Sequence, residues 1–257
     1  MEDDYQRIDQ SIIHDSFSHD YEQYNYDGCQ CWHCSDAKCH QSRRVYDDAR
    51  RLLRILNKNC SELQNPVIEC NDSCLCSIYC WNRVVQLGSS AKLECFKTQS
   101  KGLGVRTTDK LIAGQFVCEY LGQVVSVHEA KSRFSQSDLT KPNYLLVLRE
   151  HITNFSNPHI LITCIDATKF GNIARFINHS CSPNLLAIAV RINTNVPHLA
   201  FFAKRDIAPN EELTFDYAGG YRDNYKQETS HGIKCLCQSE TCFGYLPYDQ
   251  MLFDESK

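Results

Sequence analysis

No stretch of this 257-residue chain is apolar for long enough to span a bilayer. Basic residues are not in excess: 27 Lys and Arg face 31 Asp and Glu, for a formal net charge of −4. That balance argues against a chain whose main business is neutralising a phosphate backbone. The first residues, MEDDYQRIDQ, are acidic and polar, so no secretory leader is expected. Methionine and tryptophan are scarce, at two each, and only seven prolines and eleven glycines punctuate the chain. The composition is 42% apolar and 23% charged, which suits a folded core rather than a disordered polymer.

Cysteine is what the chain has in abundance, with sixteen. Without a secretory leader a reducing compartment is expected, and there clustered thiols hold metal more often than disulfides. Nine fall in two groups: Cys29, Cys31, Cys34 and Cys39, then Cys60, Cys70, Cys74, Cys76 and Cys80. Such close spacing leaves little room for side chains that could build an apolar core. Zinc takes four thiolates in a tetrahedron. Nine thiolates serve two ions with one to spare, or three ions if three sulfurs bridge. Near the C-terminus Cys235, Cys237 and Cys242 make three ligands, one short of a closed site. Cys95, Cys118 and Cys164 sit in or beside apolar runs and are expected to be buried and inert.

Between the two cysteine groups, residues 41–57 (QSRRVYDDARRLLRILN) place Val45, Ala49, Leu52, Leu53 and Leu56 at helical spacing, with Asp47 four residues before Arg51. The pattern predicts an amphipathic helix with a solvated arginine face. Residues 1–28 show no clear period and read as an extended lead-in, packed on the body through Ile12, Ile13 and Phe17. From about Leu93 the pattern becomes one of short strands, at 116–120, 144–148, 160–165, 185–192 and 199–203. One helix is predicted there, over 127–134. The fold class is therefore mainly β.

Two further runs carry chemistry. Residues 174–184, ARFINHSCSPN, crowd an amide, an imidazole and a thiol into one turn, and residues 211–217, EELTFDY, follow. Alone, the first could be any polar turn and the second an ordinary strand end. Together they resemble the signature pair of the SET-domain lysine methyltransferases. The nine cysteines, ending in ECNDSCLCSIYCWNRVVQLG over 69–88, resemble that family's pre-SET segment. KGLGVR at 101–106, just before EYLG at 119–122, resembles its first cofactor loop. Leu103 stands where Trp is usual and Gln123 where Glu is usual.

The resemblance implies a SET fold of small curved sheets with a knot-like C-terminal core. It implies a lead-in over 1–28, a pre-SET segment over 29–84, a catalytic domain over 85–218 with a variable insert at about 126–143, and a post-SET segment over 219–257. It implies a three-zinc cluster on the nine cysteines. A fourth zinc would sit on Cys181 with Cys235, Cys237 and Cys242, giving about four ions. Tyr217, Tyr144 and Phe215 would line the catalytic channel. Lys101, Gly102, Leu103, Gly104, Tyr120, Arg175, Phe176, Asn178 and His179 would surround S-adenosylmethionine. The pre-SET type points to lysine 9 of the histone H3 tail as substrate, taken to di- or trimethyllysine, in heterochromatin and gene silencing. Expected with it are a nuclear, chromatin-associated location, chromatin proteins as partners, no sequence-specific nucleic-acid binding and no membrane. The competing readings are a methyltransferase for another lysine or a non-histone protein, and a catalytically weak, zinc-stabilised chromatin adaptor.

Overall fold

The structure, a computed structural model, describes residues 5–17, 27–31, 34, 44–56, 66–138, 142–152, 159–219, 232–247 and 249–253. Cys39 and Cys60 lie outside them. No described helix is long and apolar enough to cross a membrane.

The chain is mainly β, as its pattern of short apolar runs predicts. Strands β1 (Gln6–Arg7) and β2 (Ile12–Ile13) open it, followed by a short helix α1 (Leu53–Leu56) and β3 (Val67–Ile68). Then come β4 (Leu93–Lys97), β5 (Leu103–Thr107), β6 (Phe116–Glu119), β7 (Gln123–Val125) and helix α2 (Val127–Ser135). The second half supplies β8 (Leu145–Ile152), β9 (His159–Asp166), β10 (Phe170–Gly171), β11 (Asn178–His179), β12 (Leu185–Arg191), β13 (His198–Ala203), β14 (Glu212–Phe215) and helix α3 (Gln250–Phe253). Helix α2 starts where Ser126 caps it, its side chain accepting from the Glu129 N–H.

Among the described residues three four-stranded sheets form, ordered β11-β14-β5-β4, β3-β12-β13-β6 and β2-β7-β9-β8. The main core lies between them and includes Val105, Leu111, Val117, Ile165, Ile177, Leu199, Phe201 and Leu213. A second core joins the N-terminal cysteine region to the sheet β3-β12-β13-β6, through Val45, Tyr46, Leu52, Val67 and Val85 against Phe116, Val190 and Phe202. Glu69 pins this junction. Fully buried, its carboxylate accepts from the Tyr46 hydroxyl at 2.8 Å, the backbone N–H groups of Val84 and Val85, and Gln86 Nε2 at 2.9 Å. A buried charge is tolerable only when its lone pairs are filled in this way.

The helix predicted over 41–57 is not what forms over its described residues, 44–56. Tyr46 bridges Leu52 in antiparallel fashion, and among the described residues only Leu53–Leu56 is helical. Asp47 explains the difference: its carboxylate accepts from the backbone N–H groups of Ala49 and Arg51 and from Arg51 Nε. That side chain offers the backbone a turn in place of a helix, and Arg50 takes a positive φ of 59° within it. Burial of Tyr46 and Leu52, both fully inside, makes the turn the better choice. Of the arginines expected on a solvated face, Arg54 is buried, Arg44 stays exposed while lying over Trp81 at 4.7 Å, Arg50 and Arg51 are half-buried, and Arg43 lies outside the described residues. One inert cysteine departs from expectation as well. Cys118 and Cys164 are buried, each thiol pushed up to about 12 by burial, but Cys95 is exposed.

The lead-in does pack on the body. β1 runs parallel to β10 and β2 parallel to β7, while Ile13 and Phe17 enter the main core and Ile12 stays exposed.

Candidate active site

The site is assembled by the two-residue strand β11. It pairs in parallel with β14, Asn178 opposite Thr214 and His179 opposite Phe215. β14 is in turn paired with β5, so the glycine loop before it, the NHSC turn and the EELTFDY strand meet at one place. Asn184 holds the join: its Oδ1 accepts from the Thr214 N–H at 2.8 Å, and its Nδ2 donates to the Glu212 carbonyl at 2.8 Å.

Glu212 is the polar hub. One carboxylate oxygen takes Lys101 Nζ at 2.6 Å and the other takes Asn178 Nδ2 at 2.9 Å; Asn178 Nδ2 also donates to the Leu103 carbonyl at 3.0 Å. The loop can lie this close because its glycines permit it. A Cβ on Gly104 would stand 2.7 Å from Thr98 and 3.1 Å from Asn178 Nδ2, while Gly102 holds φ at +75° beside open space. The loop therefore offers bare backbone to a ligand, and Leu103 stays 42% exposed beside it.

Aromatic rings form the other wall. Phe215, buried, sits 4.6 Å from Phe201 and 4.8 Å from Tyr217. Tyr144 meets Phe176 edge to face at 6.3 Å. Tyr120 is buried and its hydroxyl donates to the Tyr144 carbonyl at 2.7 Å. Tyr217 is 38% exposed overall, but its hydroxyl points inward and donates to the Ile177 carbonyl at 3.0 Å. Burial first, then proximity to Tyr144, raises the Tyr217 phenol; burial and proximity to Tyr217 raise Tyr120. Both are neutral hydroxyls at physiological pH. Arg175, though only three residues before Asn178 in sequence, is buried among rings, its guanidinium 3.7 Å from the Tyr144 centroid, 4.2 Å from Tyr5 and 5.0 Å from Phe176.

His179 links this wall to the cysteines. Its Nδ1 accepts from the Tyr217 N–H at 3.3 Å, and its Nε2 lies 3.2 Å from Cys181 Sγ. Burial holds the imidazole down to about 4, against the pull of Asp216 at 3.9 Å. It is thus neutral at physiological pH, with the Nε2 proton directed at sulfur.

Two cysteine quartets bring four sulfurs within 4.8 Å of one another: Cys29, Cys34, Cys70 and Cys76, and Cys181, Cys235, Cys237 and Cys242. The Sγ–Sγ distances of 3.6 Å (Cys29 to Cys34), 3.4 Å (Cys34 to Cys70) and 3.9 Å (Cys181 to Cys235) are far beyond a disulfide. They match the edge of about 3.8 Å of a tetrahedron built on 2.3 Å zinc–sulfur bonds. The donor sets fit zinc. Cys31 and Cys74 pack against the first quartet, and Cys80 belongs to the same buried cluster. Backbone N–H groups of Cys29 and Asn71 point at Cys74 Sγ, at 3.3 and 3.2 Å.

Thus Tyr217, Phe215, Tyr144, Tyr120, Phe176, Asn178, His179 and the loop 101–104 converge. Glu212, Asn184 and Tyr5 were not legible as site residues. Glu212 was visible only as one of two adjacent glutamates, and its partner Lys101 is 111 residues away.

The SET-domain family model matches residues 102–218. The Bos taurus histone-lysine N-methyltransferase SETMAR is 40% identical over 242 residues, covering 90% of this chain and 78% of that protein. The crystal structure of the methyltransferase domain of human histone-lysine N-methyltransferase SETMAR superposes with a TM-score of 0.81 at 35% identity, covering 95% of this chain and 90% of that one. KRYPTONITE, solved in complex with mCHH DNA, H3(1-15) peptide and SAH, superposes with a TM-score of 0.72 at 29% identity, over 95% of this chain and 48% of that one. With a relative matched over most of both lengths and a family model that includes the NHSC turn, the EELTFDY strand and Tyr144, the chain belongs to the SET-domain histone-lysine N-methyltransferases, a family that uses S-adenosylmethionine.

Proposed function

We propose that this protein methylates a lysine of histone H3, lysine 9, and carries it to di- or trimethyllysine in nuclear chromatin. The observation that supports the reading is the parallel pairing of Asn178–His179 with Thr214–Phe215, which brings Asn178, against the glycine loop, and Phe215, against the Tyr217 ring, onto paired strands. The H3 peptide bound to KRYPTONITE supports the choice of substrate.

S-adenosylmethionine supplies an electrophilic methyl group. The loop 101–104, Asn178 and His179 would hold that cofactor, with Glu212 keeping Asn178 and Lys101 in place. Lysine's amine has a free pKa of about 10.4, so it must arrive or become neutral before it can attack. Walls made by Phe215, Phe176 and the tyrosines favour the uncharged form by excluding water. Tyr217 is not a phenolate base, because its hydroxyl proton is committed to Ile177. Its oxygen instead accepts from an amine N–H and so aims the lone pair along the displacement axis, at an attack distance of about 3 to 3.5 Å. Tyr144 is the second such tyrosine. The cysteine segments would hold about four zinc ions, three on the nine N-terminal cysteines and one on Cys181, Cys235, Cys237 and Cys242. Cys181, Cys235, Cys237 and Cys242, closed on that ion, would tie the C-terminal segment over the site.

Radiolabelled methyl transfer to core histones, followed by mass spectrometry of the H3 tail, tests this. Label on lysine 9 with products beyond one methyl is expected. Label on another protein or lysine overturns the substrate, and no label with bound cofactor favours the adaptor reading.

A further inference from the structure

Residues 5–17 form a strap across the back of the site. The Gln6 N–H donates to the Lys169 carbonyl at 2.8 Å and Ile8 to Gly171 at 2.9 Å; farther on, Ile12 donates to Gly122 at 3.0 Å and His14 to Val124 at 2.9 Å. These bonds fix Tyr5 at one spot. Its ring lies 4.2 Å from the Arg175 guanidinium and meets Phe176 edge to face at 5.7 Å. On the same guanidinium, at 3.7 Å, lies Tyr144. Arg175 is only 5% exposed and reaches this position over Gly171, where a Cβ would already stand 3.4 Å from its Cδ. The strap thus pairs with the very strand that Arg175 lies against.

We propose that Tyr5 is a positioning residue for methyl transfer: it clamps Arg175 against Tyr144 and so fixes the Tyr144 ring. The proposal rests on the reading of Tyr144 as the second channel tyrosine. The Tyr144 backbone is held independently, its carbonyl accepting from the Tyr120 hydroxyl and from the Ala167 N–H at 3.1 Å. Its ring meets Phe176 and Arg175. Without Tyr5 the cation loses an aromatic face, and the buried guanidinium becomes open to water on that side. Its rotamer then loses one of its restraints, which include an Nη2 hydrogen bond to the Thr168 carbonyl at 3.4 Å, and a shift of the guanidinium moves the ring stacked on it. Backbone position and cofactor loop are unaffected, so the loss falls on the transfer step.

The experiment compares Tyr5→Ala, Tyr5→Leu and Tyr5→Phe in the full chain with Tyr144→Phe, reading kcat, KM for peptide, cofactor affinity and melting temperature. Expected is a fall in kcat of about threefold to thirtyfold for Tyr5→Ala and Tyr5→Leu, the range spanned by a cation–π contact. Cofactor affinity should hold, the melting temperature should fall by no more than a few degrees, as loss of one ring contact from a fold of this size implies, and Tyr5→Phe should restore turnover, since the ring and not the hydroxyl faces Arg175. If Tyr144→Phe lowers kcat while Tyr5→Ala and Tyr5→Leu do not, the clamp is wrong and the channel reading stands. If Tyr144→Phe turns over normally, the channel reading fails and takes the clamp with it. Loss of cofactor affinity and melting temperature in step with kcat, or no rescue by Phe, overturns the clamp as well.

Discussion

On the proposed reading, one atom at Phe215 decides an outcome. Its ring sits 4.8 Å from Tyr217 with no hydroxyl of its own, which would leave the space beside a bound amine apolar. A methylated amine can rotate there and present its lone pair again. Phe215→Tyr would add a group able to hold the amine or a water, worth about 0.5–1.5 kcal/mol, or roughly a threefold to tenfold bias per step. The variant is expected to stop mainly at one methyl while sparing the first transfer, and mass spectrometry of peptide products over a long time course checks it. Glu212 works on the cofactor side. Its two oxygens serve Asn178 and Lys101 separately, so Glu212→Gln leaves one of them facing an amide donor. Cofactor affinity measured by calorimetry should fall about tenfold, with a smaller change in kcat at saturating cofactor. An unchanged affinity would reduce Glu212 to a structural residue. Tyr217 and Phe215 could be picked from EELTFDY, but Glu212 could not. Its meaning depends on a lysine far away in the chain, brought close only when β14 pairs with β5.

Among the elements, helix α3 is the one whose role exceeds its length. Leu252 is buried with Val125, Ala130 and Cys164, and Met251 packs on the same cluster. Just before it, Asp249 pairs with Arg149 at 2.5 Å, both side chains 13% exposed. The tail therefore leaves the cysteine quartet, where Lys234 bridges Tyr245, and docks on α2 and the sheet below it. Leu252→Ala should cost about 2 kcal/mol, the low end for a buried leucine, because a terminal helix relaxes easily. Hydrogen exchange should then rise across 233–246 while β12 and β13 stay protected; equal loosening of both would mean that α3 supports the whole core. Helical elements were also where periodicity was least secure. The helix predicted over 127–134 forms over 127–135 with a Ser cap, whereas the equally periodic 41–57 yields, over its described residues 44–56, to the Asp47 turn and to the burial of Tyr46 and Leu52.

For the whole molecule, metal held by the cysteine quartets would be part of the folding free energy, since thiolates that close cannot stay together unpaired. The second core ties the N-terminal cysteine region to β12 and β13 through Val67 and Glu69, so loss of the ion should be felt beyond the cysteines. A strong chelator is expected to lower the melting temperature and to expose Tyr46 and Trp81 to quenchers. Elemental analysis of active protein is expected to give about four zinc ions per chain, and two or fewer would exclude a three-ion cluster. The short apolar runs, the cysteine spacing, and NHSC with EELTFDY by themselves determined, in turn, the mainly β class, the metal-binding character and the family, because those properties depend on residue types close together in the chain. Which residues meet was decided by the tertiary structure. Two-residue strands such as β11 have no period to read, and their partners lie tens of residues away. The placement of Arg175 between Tyr5 and Tyr144, of Glu212 between Lys101 and Asn178, and of Leu252 against Ala130 follows from burial and pairing over those distances, which local pattern does not encode.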